Sequence, residues 1–276
     1  MNDFLSPSTT QIAAIERSEI DYMTDRMLAI QSRPGNPEGV EIRNFGSAVA
    51  FTSKTMPWPS FNTVKGITDA SIEHLEEILD FYRENEAKVQ LEIVPSRVGP
   101  DFLRKMSESG LYQSGFHCSL AMTPEQGSMT TSEQGSDIER IAIRKLEADE
   151  FELYATLHCR GTGLPDNGIS HVRSNNEVLH DREGWNFFAA ELDGAPAATA
   201  VLFEKEGLAS LTFAATLPEF RRQGLQRRLL EHRVTEAFSR PNKLVVGQCA
   251  FLSQSHRNME HVGMKLGYIR TAWTSL

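Results

Sequence analysis

The chain has 276 residues, 40% of them hydrophobic, which is enough to bury the core of one large or two modest domains. Its 28 basic and 37 acidic residues give a net charge of -9, which argues against nucleic acid or an anionic membrane as the main partner. The widely spaced Cys118, Cys159 and Cys249 favour a reducing compartment, without a disulfide framework or a zinc site. The sequence has no signal-peptide pattern and no apolar run near the roughly 18 residues of a membrane span, and it therefore predicts a cytoplasmic protein.

The first half of the sequence predicts alternating helices and strands. A helical pattern covers residues 8–31, with Ser6 and Ser8 as candidate caps, and two short strands follow around Gly46. The elements predicted after these are, in order, a helix over 68–86, a strand over 88–95, a helix ending at Gly110 and a strand over 116–122. This alternation is typical of a layered α/β structure.

Residues 123–137, TPEQGSMTTSEQGSD, are rich in Ser, Thr, Gly and Gln, and Met129 is their only large apolar residue. Such a composition is typical of a linker. The sequence therefore predicts an N-terminal lobe over residues 1–122 and a C-terminal domain over residues 138–276.

The second half predicts a strand, two helices, three antiparallel strands, a helix, a strand, a helix and a closing strand. Its first helix is expected to begin at Asp149 and to end at Gly161. Two strand-like runs flank Asp193 and Gly194, a pair that favours a type I′ hairpin.

Positive charge is concentrated where the last of the three antiparallel strands passes into a helix. The stretch LPEFRRQGLQRRLL, residues 217–230, holds four arginines around Gly224. The first N–H groups of a helix lack intrahelical partners, and a glycine lets an anion approach them closely, so this junction has the outline of a phosphate site. It matches neither GxxxxGK[ST] nor GxGxxG, and spacing alone favours the alternative of a solvated arginine face.

Two stretches carry a resemblance to the GNAT superfamily of acyl-CoA N-acyltransferases. AATLPEFRRQGLQRRLL, residues 214–230, is similar to the family's phosphate-loop motif [QR]-x-x-G-x-[GA], except that Gln226 replaces the final small residue. SQSHRNMEHVGMKLGYIRTAW, residues 253–273, resembles the family's second cofactor segment, in which an Asn opens a helix and a Gly closes it. The resemblance implies a GNAT-like α/β fold, with a mixed, largely antiparallel sheet flanked by helices. It also implies two tandem halves, of which the first is degenerate.

By this resemblance, acyl-CoA lies between two splayed strands. The backbone of residues 214–216 bonds the pantetheine and polarises the thioester, and the amides of residues 222–227 hold the pyrophosphate beside the arginines. Asn258 hydrogen-bonds the pantetheine arm. The full predicted cofactor-binding set is Ala214, Ala215, Thr216, Arg221, Arg222, Gln223, Gly224, Leu225, Gln226, Arg227 and Asn258.

Proton transfer is where the sequence departs most from the family. Met259 stands where many members have a tyrosine that protonates the departing thiolate, and Tyr268 falls beyond that helix in the last strand. Ser255 is the candidate catalytic acid, with a helix cap as its alternative role. Arg228 and Arg233 are expected to be ordinary solvated helix surface.

His158, Asp166 and His171 lie in the segment that resembles the family's variable acceptor loops, and they are the candidate substrate-binding residues. Ordinary solvated or packed roles are open alternatives for them, as is deprotonation of the amine by water. The first half begins the corresponding helix, near residue 71, with acids, and is expected to be a cofactor-free lobe that shapes the acceptor cleft.

The implied function is direct transfer of an acetyl or other acyl group to an amine, with acetyl-CoA as co-substrate. The acceptor amine belongs to a small molecule or a protein, and homodimerisation is left open. A non-catalytic acyl-CoA-binding or regulatory module is the alternative function.

Overall fold

A computed structural model describes residues 7–56, 58–127 and 140–275 of the protein. The helices are α1 (Thr9–Gln31), α2 (Leu75–Glu84), α3 (Pro100–Glu108), α4 (Pro124–Gly127), α5 (Phe151–Thr162), α6 (Ile169–Glu177), α7 (Leu225–Phe238) and α8 (Gln254–His261). The strands are β1 (Glu41–Phe45), β2 (Ala48–Thr52), β3 (Thr63–Lys65), β4 (Gln90–Ile93), β5 (Leu111–Met122), β6 (Ile141–Lys145), β7 (Trp185–Leu192), β8 (Ala195–Lys205), β9 (Leu208–Thr216), β10 (Leu244–Ala250) and β11 (Lys265–Ser275).

The chain divides into two compact units, Met1–Ser119 with Gly267–Leu276, and Leu120–Leu266. These units differ from the predicted lobes mainly in the last ten residues, which group with the first unit because β11 pairs with β4 there. Most of the predicted linker, from residue 128 to residue 137, lies outside the described residues, and its beginning forms the helical turn α4.

The first unit opens with a helix whose start the sequence predicts. Ser8 caps α1 through a reciprocal pair of hydrogen bonds, in which its Oγ accepts from the Gln11 amide at 3.2 Å and its own amide donates to Gln11 Oε1 at 2.9 Å. This confirms Ser8 as the cap, and Ser6 lies outside the described residues. A Ser followed three residues later by Gln is a recognisable helix-start pattern.

Both units follow one plan. In the first unit β1, β2 and β3 are antiparallel neighbours, α2 leads to β4, and β4 runs parallel to β3. In the second unit β7, β8 and β9 are antiparallel neighbours, α7 leads to β10, and β10 runs parallel to β9. A further helix follows each parallel strand. The structure therefore confirms a mixed, largely antiparallel α/β fold built from two halves of the same plan.

The β7–β8 hairpin closes as the sequence predicts. Asp193 and Gly194 have φ angles of 51° and 82°, and positive φ at both central residues defines a type I′ turn. Its twist matches the right-handed twist of the two strands, which pair from Trp185 to Leu192 with one register shift between Ala190 and Glu191.

Helices cover both faces of the sheet in the second unit. Phe187 and Phe188 are neighbours on β7 and point to opposite faces. The Phe187 ring packs against Tyr154 of α5 at 5.0 Å, whereas the Phe188 ring packs against His232 of α7 at 5.0 Å. We therefore distinguish an α5 face and an α7 face, and α8 shares the α7 face because it packs on α7.

Strands β9 and β10 separate towards their carboxyl ends. Their parallel pairing stops at Gly247 and Leu211, although β9 continues to Thr216 and β10 to Ala250. The register between β8 and β9 shifts just before this end of β9, where Phe213 has a φ of 49°. An extra residue of this kind is a β-bulge, which bends a strand and re-aims its side chains. The bulge therefore opens a gap between two parallel strands.

Among the described residues, no helix combines the length and the apolarity that crossing a bilayer requires.

Candidate functional site

An open groove of about 790 Å³ lies at the gap between β9 and β10. The carboxyl ends of parallel strands share one sheet edge, so the segments that follow β9 and β10 meet there. The residues that line the groove are Gly161, Ala214, Ala215, Thr216, Phe220, Arg221, Arg222, Gly224, Leu225, Gln226, Arg227, Gln254, Ser255 and Asn258. All of the predicted cofactor-binding residues except Gln223 are among them.

The loop before α7 has the geometry of an anion site. Gly224 caps α7 with a φ of 83°, and Arg222 has a φ of 62°, so two left-handed residues turn the chain into the helix. The first turn of α7 contains no acid, and its free N–H groups form the positive end of the helix dipole. Leu225 is 1% exposed, and its buried side chain anchors the loop to the core. Gln223 instead lines a neighbouring cleft of about 220 Å³ that it shares with Arg222.

The arginines of this junction have different partners. Arg221 donates to the carbonyl oxygens of Gly161 at 2.9 Å and Thr216 at 3.4 Å, so it ties the end of α5 to the end of β9. Arg227 forms an exposed ion pair with Glu231 at 2.9 Å. Arg222 is exposed, and the structure gives it no hydrogen bond or ion pair with another described residue. Arg222 is therefore the arginine of this loop with an uncommitted charge.

Arg233 corrects the expectation of a solvated helix surface. Its side chain is 1% exposed, and its guanidinium donates to the carbonyl oxygens of Leu229 at 3.0 Å, Val201 at 3.0 Å and Thr212 at 3.4 Å. Burial lowers the pKa of Arg233 from 12.5 to about 9. The residue links α7 to β8 and β9 and is part of the interior. Arg228 is half-buried and pairs with Glu231 at 3.0 Å.

Gly161 brings α5 against the wall of the groove. It lies inside α5, which ends at Gly163 with a φ of 79°, so the predicted helix end at Gly161 is two residues early. A Cβ atom on Gly161 would lie 2.9 Å from Ala215 Cβ and 3.0 Å from the Thr216 amide nitrogen. Only glycine permits this approach, and the sequence interpretation missed the role because a glycine near a helix end is so often a cap.

The turn from β10 into α8 places Ser255 in the groove. The cap of α8 is Ser253, whose Oγ accepts from the His256 amide at 3.2 Å, and Ser255 is the second residue of the helix. The alternative that Ser255 is the helix cap is therefore wrong. Asn258 lies one turn further along the groove wall and its Oδ1 accepts from Gln254 Nε2 at 2.9 Å.

Met259 and Tyr268 are both interior residues. A Cβ atom on Gly247 would lie 2.9 Å from Met259 Cε, so Met259 fills the space beneath β10 on the α7 face. Tyr268 is 8% exposed in the first unit and donates to Glu19 at 3.2 Å. Neither residue is among the described residues that line the groove.

The three candidate substrate residues are not part of the groove wall among the described residues. Asp166 is exposed and bonded to Arg160 at 2.8 Å, and this partner holds the pKa of its carboxyl below 3.8. His158 stacks on Tyr154 at 5.7 Å, and His171 is exposed on α6. Their role in acceptor binding stays a prediction.

Cys159, on the same helix as His158, is fully buried. Burial raises the pKa of its thiol above 9.0, with a smaller contribution from the charge of Asp166. A protonated, enclosed thiol is a poor nucleophile, which agrees with a packing role.

The corresponding junction of the first unit is built differently. Thr68 and Ser71 form a reciprocal capping box at the start of the helical segment before α2, and Asp69 adds a negative charge there. The Thr68 amide donates to Ser71 Oγ at 3.1 Å, and the negative charge of Asp69 disfavours an anion at this helix start. The sequence predicts an acid at this helix start, which Asp69 provides, and the cofactor-free role of the first unit stays a prediction.

A groove at the splayed ends of two parallel strands, next to an acid-free helix start, is a candidate site for an anionic, elongated ligand. Residues 142–258 match the acetyltransferase (GNAT) family. A comparison with proteins of curated function found no matching sequence.

Several solved structures share the fold. One is a GCN5-related N-acetyltransferase from Kribbella flavida, with 14% identity, a TM-score of 0.69, and coverage of 96% of this chain and 95% of that chain. Another is a GCN5-related N-acetyltransferase from Sphaerobacter thermophilus, with 14% identity, a TM-score of 0.60, and coverage of 100% and 96%. A tandem GNAT protein from the clavulanic acid biosynthesis pathway has 14% identity, a TM-score of 0.59, and coverage of 98% and 97%.

The family match lies within the second unit, which carries the groove, and the fold matches extend over nearly the whole chain. Residues 142–258 thus match the GNAT family, and the fold of the whole chain is similar to that of a tandem GNAT protein.

Proposed function

We propose that the protein is an N-acetyltransferase that moves an acetyl group from acetyl-CoA to an amine. The observation that carries this proposal is the convergence of the predicted cofactor-binding residues on one groove, although they come from a strand end, a loop and two helices. The volume of about 790 Å³ falls within the roughly 300–1,000 Å³ of small-molecule sites.

The groove walls fit the parts of coenzyme A. The start of α7 and the uncommitted charge of Arg222 suit the pyrophosphate, because free N–H groups and a cation face the same space. Thr216 Oγ1 is buried and has no hydrogen-bond partner among the described residues, which a polar ligand in the gap would supply. The amide of Asn258, on the opposite wall, suits the pantetheine arm.

The chemistry is direct transfer between two bound substrates. The amine nitrogen attacks the thioester carbon, a C–N bond forms, the C–S bond breaks, and the thiol of coenzyme A leaves. Backbone N–H groups of residues 214–216 stabilise the negative charge that develops on the carbonyl oxygen. Ser255, half-buried in the groove wall, donates a proton to the departing thiolate and regains one from water, and water takes the proton of the amine.

A non-catalytic acyl-CoA-binding module is the second candidate, and Met259 favours it. The position where many relatives have a proton-donating tyrosine here holds an apolar side chain that is 5% exposed and faces away from the groove. Under this alternative the groove binds the ligand without turning it over.

Two measurements on the whole protein separate these functions. Isothermal titration calorimetry with acetyl-CoA tests the groove, and release of free thiol in the presence of a panel of amines tests transfer. Binding with amine-dependent thiol release is the expected result. Binding without release for every amine would favour the non-catalytic module, and absence of binding would contradict both functions.

A further inference from the structure

Gln248 holds a buried amide donor for which the structure provides no acceptor. Its Nε2 is inaccessible to solvent and has no hydrogen-bond partner among the described residues. Native structures pair nearly all such groups, because an unpaired buried donor has lost its hydration without compensation. An unpaired donor that persists beside a candidate active site therefore points to a partner that arrives with the substrate.

The position of Gln248 is fixed by the end of the strand pairing. It is the first residue of β10 beyond Gly247, the last position paired with β9. Gly247 faces α8, since a Cβ atom there would lie 2.9 Å from Met259 Cε. Successive side chains of a strand point to opposite faces, so Gln248 projects from the α5 face, where the gap between β9 and β10 opens.

The α5 face is also where β9 presents its groove residues to α5. Ala215 projects towards this face, because a Cβ atom on Gly161 of α5 would lie 2.9 Å from Ala215 Cβ. The phosphate loop and α8 approach the groove from the α7 face. The groups that suit the donor phosphates thus approach from the α7 face. Gln248 lies outside the groove lining and projects from the opposite, α5 face, at the point where the gap between β9 and β10 begins.

We propose that Gln248 is a specificity residue for the acceptor, and that its Nε2–H donates a hydrogen bond to an oxygen atom of the amine substrate. This inference rests on the proposed acetyl transfer. A neutral amide donor selects for a carbonyl, hydroxyl or ether oxygen and needs no charge on the acceptor. The acceptor class is therefore an amine that carries an oxygen near its amino group, such as an amino alcohol, an amino sugar or an amino-acid amide. Simple alkyl diamines and polyamines, which have no oxygen, lack the partner.

The test replaces Gln248 by Met, a side chain of similar length that cannot donate. Acetyl transfer is followed by thiol release, with amino alcohols, amino sugars and amino-acid amides in one panel and oxygen-free polyamines in the other. Gln248→Met should raise the KM of oxygen-bearing amines by about tenfold or more, because the site loses a hydrogen bond that only these substrates make. The KM of acetyl-CoA and the transfer to oxygen-free amines should stay the same. Gln113→Met, at an exposed position of β5, is the control.

A second measurement separates this role from a structural one. An amide without an internal partner contributes no hydrogen bond to the free protein, so Gln248→Met should leave the melting temperature unchanged or raise it. A marked fall in melting temperature, equal losses with both amine panels, or acetylation of polyamines alone by the wild-type protein would overturn the inference. Failure of the wild-type protein to bind acetyl-CoA would instead remove the proposed function on which it rests.

Discussion

At the scale of single residues, two serines two positions apart have separable roles. Ser253 caps α8, and Ser255 lines the groove. Ser253→Ala should lower the free energy of unfolding by about 1 kcal/mol, because the first turn loses its acceptor, and should leave turnover nearly unchanged. Ser255→Ala should lower kcat by about 10²–10⁴ while the affinity for acetyl-CoA and the melting temperature stay the same. Melting temperature and steady-state rate are measured on both variants.

The outcomes for Ser255 are distinct. A loss in kcat of less than about tenfold would assign protonation of the thiolate to water. A full-rate, less stable Ser255→Ala protein would contradict both the catalytic assignment and the observed position of the cap.

His232 gives the protein a predictable response to acid. Its half-buried ring packs on Phe188 at 5.0 Å, and burial is the main cause that lowers its pKa below 6.5, with smaller contributions from neighbouring arginines and opposition from Glu236. The unfolded chain therefore binds more protons than the folded one as the pH falls below about 6.5, and stability decreases with falling pH in this window. His232→Gln should flatten the fall in melting temperature between about pH 7 and about pH 5.

The control for this prediction is His171→Gln, because His171 is exposed on α6. An unchanged pH dependence in His232→Gln, or an equal flattening in both variants, would show that burial of His232 is not the cause.

Within the site, the burial and the hydrogen-bond partners of individual side chains were predicted least well from the sequence. Arg222 and Arg233 stand in one basic stretch, yet the first is exposed and the second is enclosed by three carbonyl oxygens. A signal for Arg233 was available, since it lies four and eight residues after Leu229 and Leu225 and thus on the apolar side of the helix. Gln248 had no such signal, because its unpaired state depends on where β9 and β10 part.

At the scale of elements, the turn into α7 depends on a glycine with left-handed backbone. Gly224→Val should weaken binding of acetyl-CoA, since a side chain at φ 83° costs about 1–2 kcal/mol and shifts the amides that face the groove. Gly194→Val is a matched control, because Gly194 has a φ of 82° and lies in the hairpin turn. Both variants should lose similar stability, and only Gly224→Val should lose affinity by calorimetry.

An equal affinity in the two variants would remove this loop from the binding site. Steric contact does not explain the expected loss at Gly224, because the atom nearest to an added Cβ is Ile141 Cδ1 at 3.7 Å, which is an ordinary van der Waals distance. The loss of affinity therefore has to come from the backbone.

Elements whose conformation depends on residues close in the sequence were predicted. Elements whose conformation depends on tertiary contacts were not. The Asp193–Gly194 turn and the Ser8 cap depend on residues within a few positions of one another, and the structure confirms both. The bulge at Phe213 does not follow from its own residue type, since positive φ is unusual for a bulky side chain, and neighbouring strands impose it. The splaying of β9 and β10 was accordingly implied by the family resemblance alone.

At the scale of the whole molecule, the order of the helices and strands was predicted. The unit to which the last strand, β11, belongs was not. Alternating helices and strands follow from local periodicity, and the structure confirms the α/β plan in both halves. Strand β11 follows the groove-bearing segment directly in the chain, so the sequence assigned it to the second half. Its pairing with β4 is a contact between residues about 180 positions apart, which no local pattern reports.

The first unit contains a buried ionic cluster that depends on this last strand. Glu19 of α1 is 2% exposed and accepts hydrogen bonds from Arg270 and Tyr268 of β11. Lys65 lies 3.6 Å from the same carboxylate. Arg270 is 8% exposed, and this burial lowers its pKa to about 10. Removing one partner from such a cluster is costly, because it leaves a buried charge without compensation.

A fragment of residues 1–127 should therefore not fold alone, because without β11 the Glu19 carboxylate loses Arg270, a loss on the order of 3–5 kcal/mol. Co-expressed with residues 128–276, it should recover a folded state, since the second fragment supplies β11. Circular dichroism and limited proteolysis of each fragment and of the mixture measure the folded state.

The control is the fragment of residues 1–127 carrying Glu19→Gln. A neutral amide needs no cation, so this fragment should be more stable than the wild-type fragment. A cooperative thermal transition of wild-type residues 1–127 alone would contradict the dependence on β11. Binding of acetyl-CoA by that fragment would contradict the assignment of cofactor binding to the second unit.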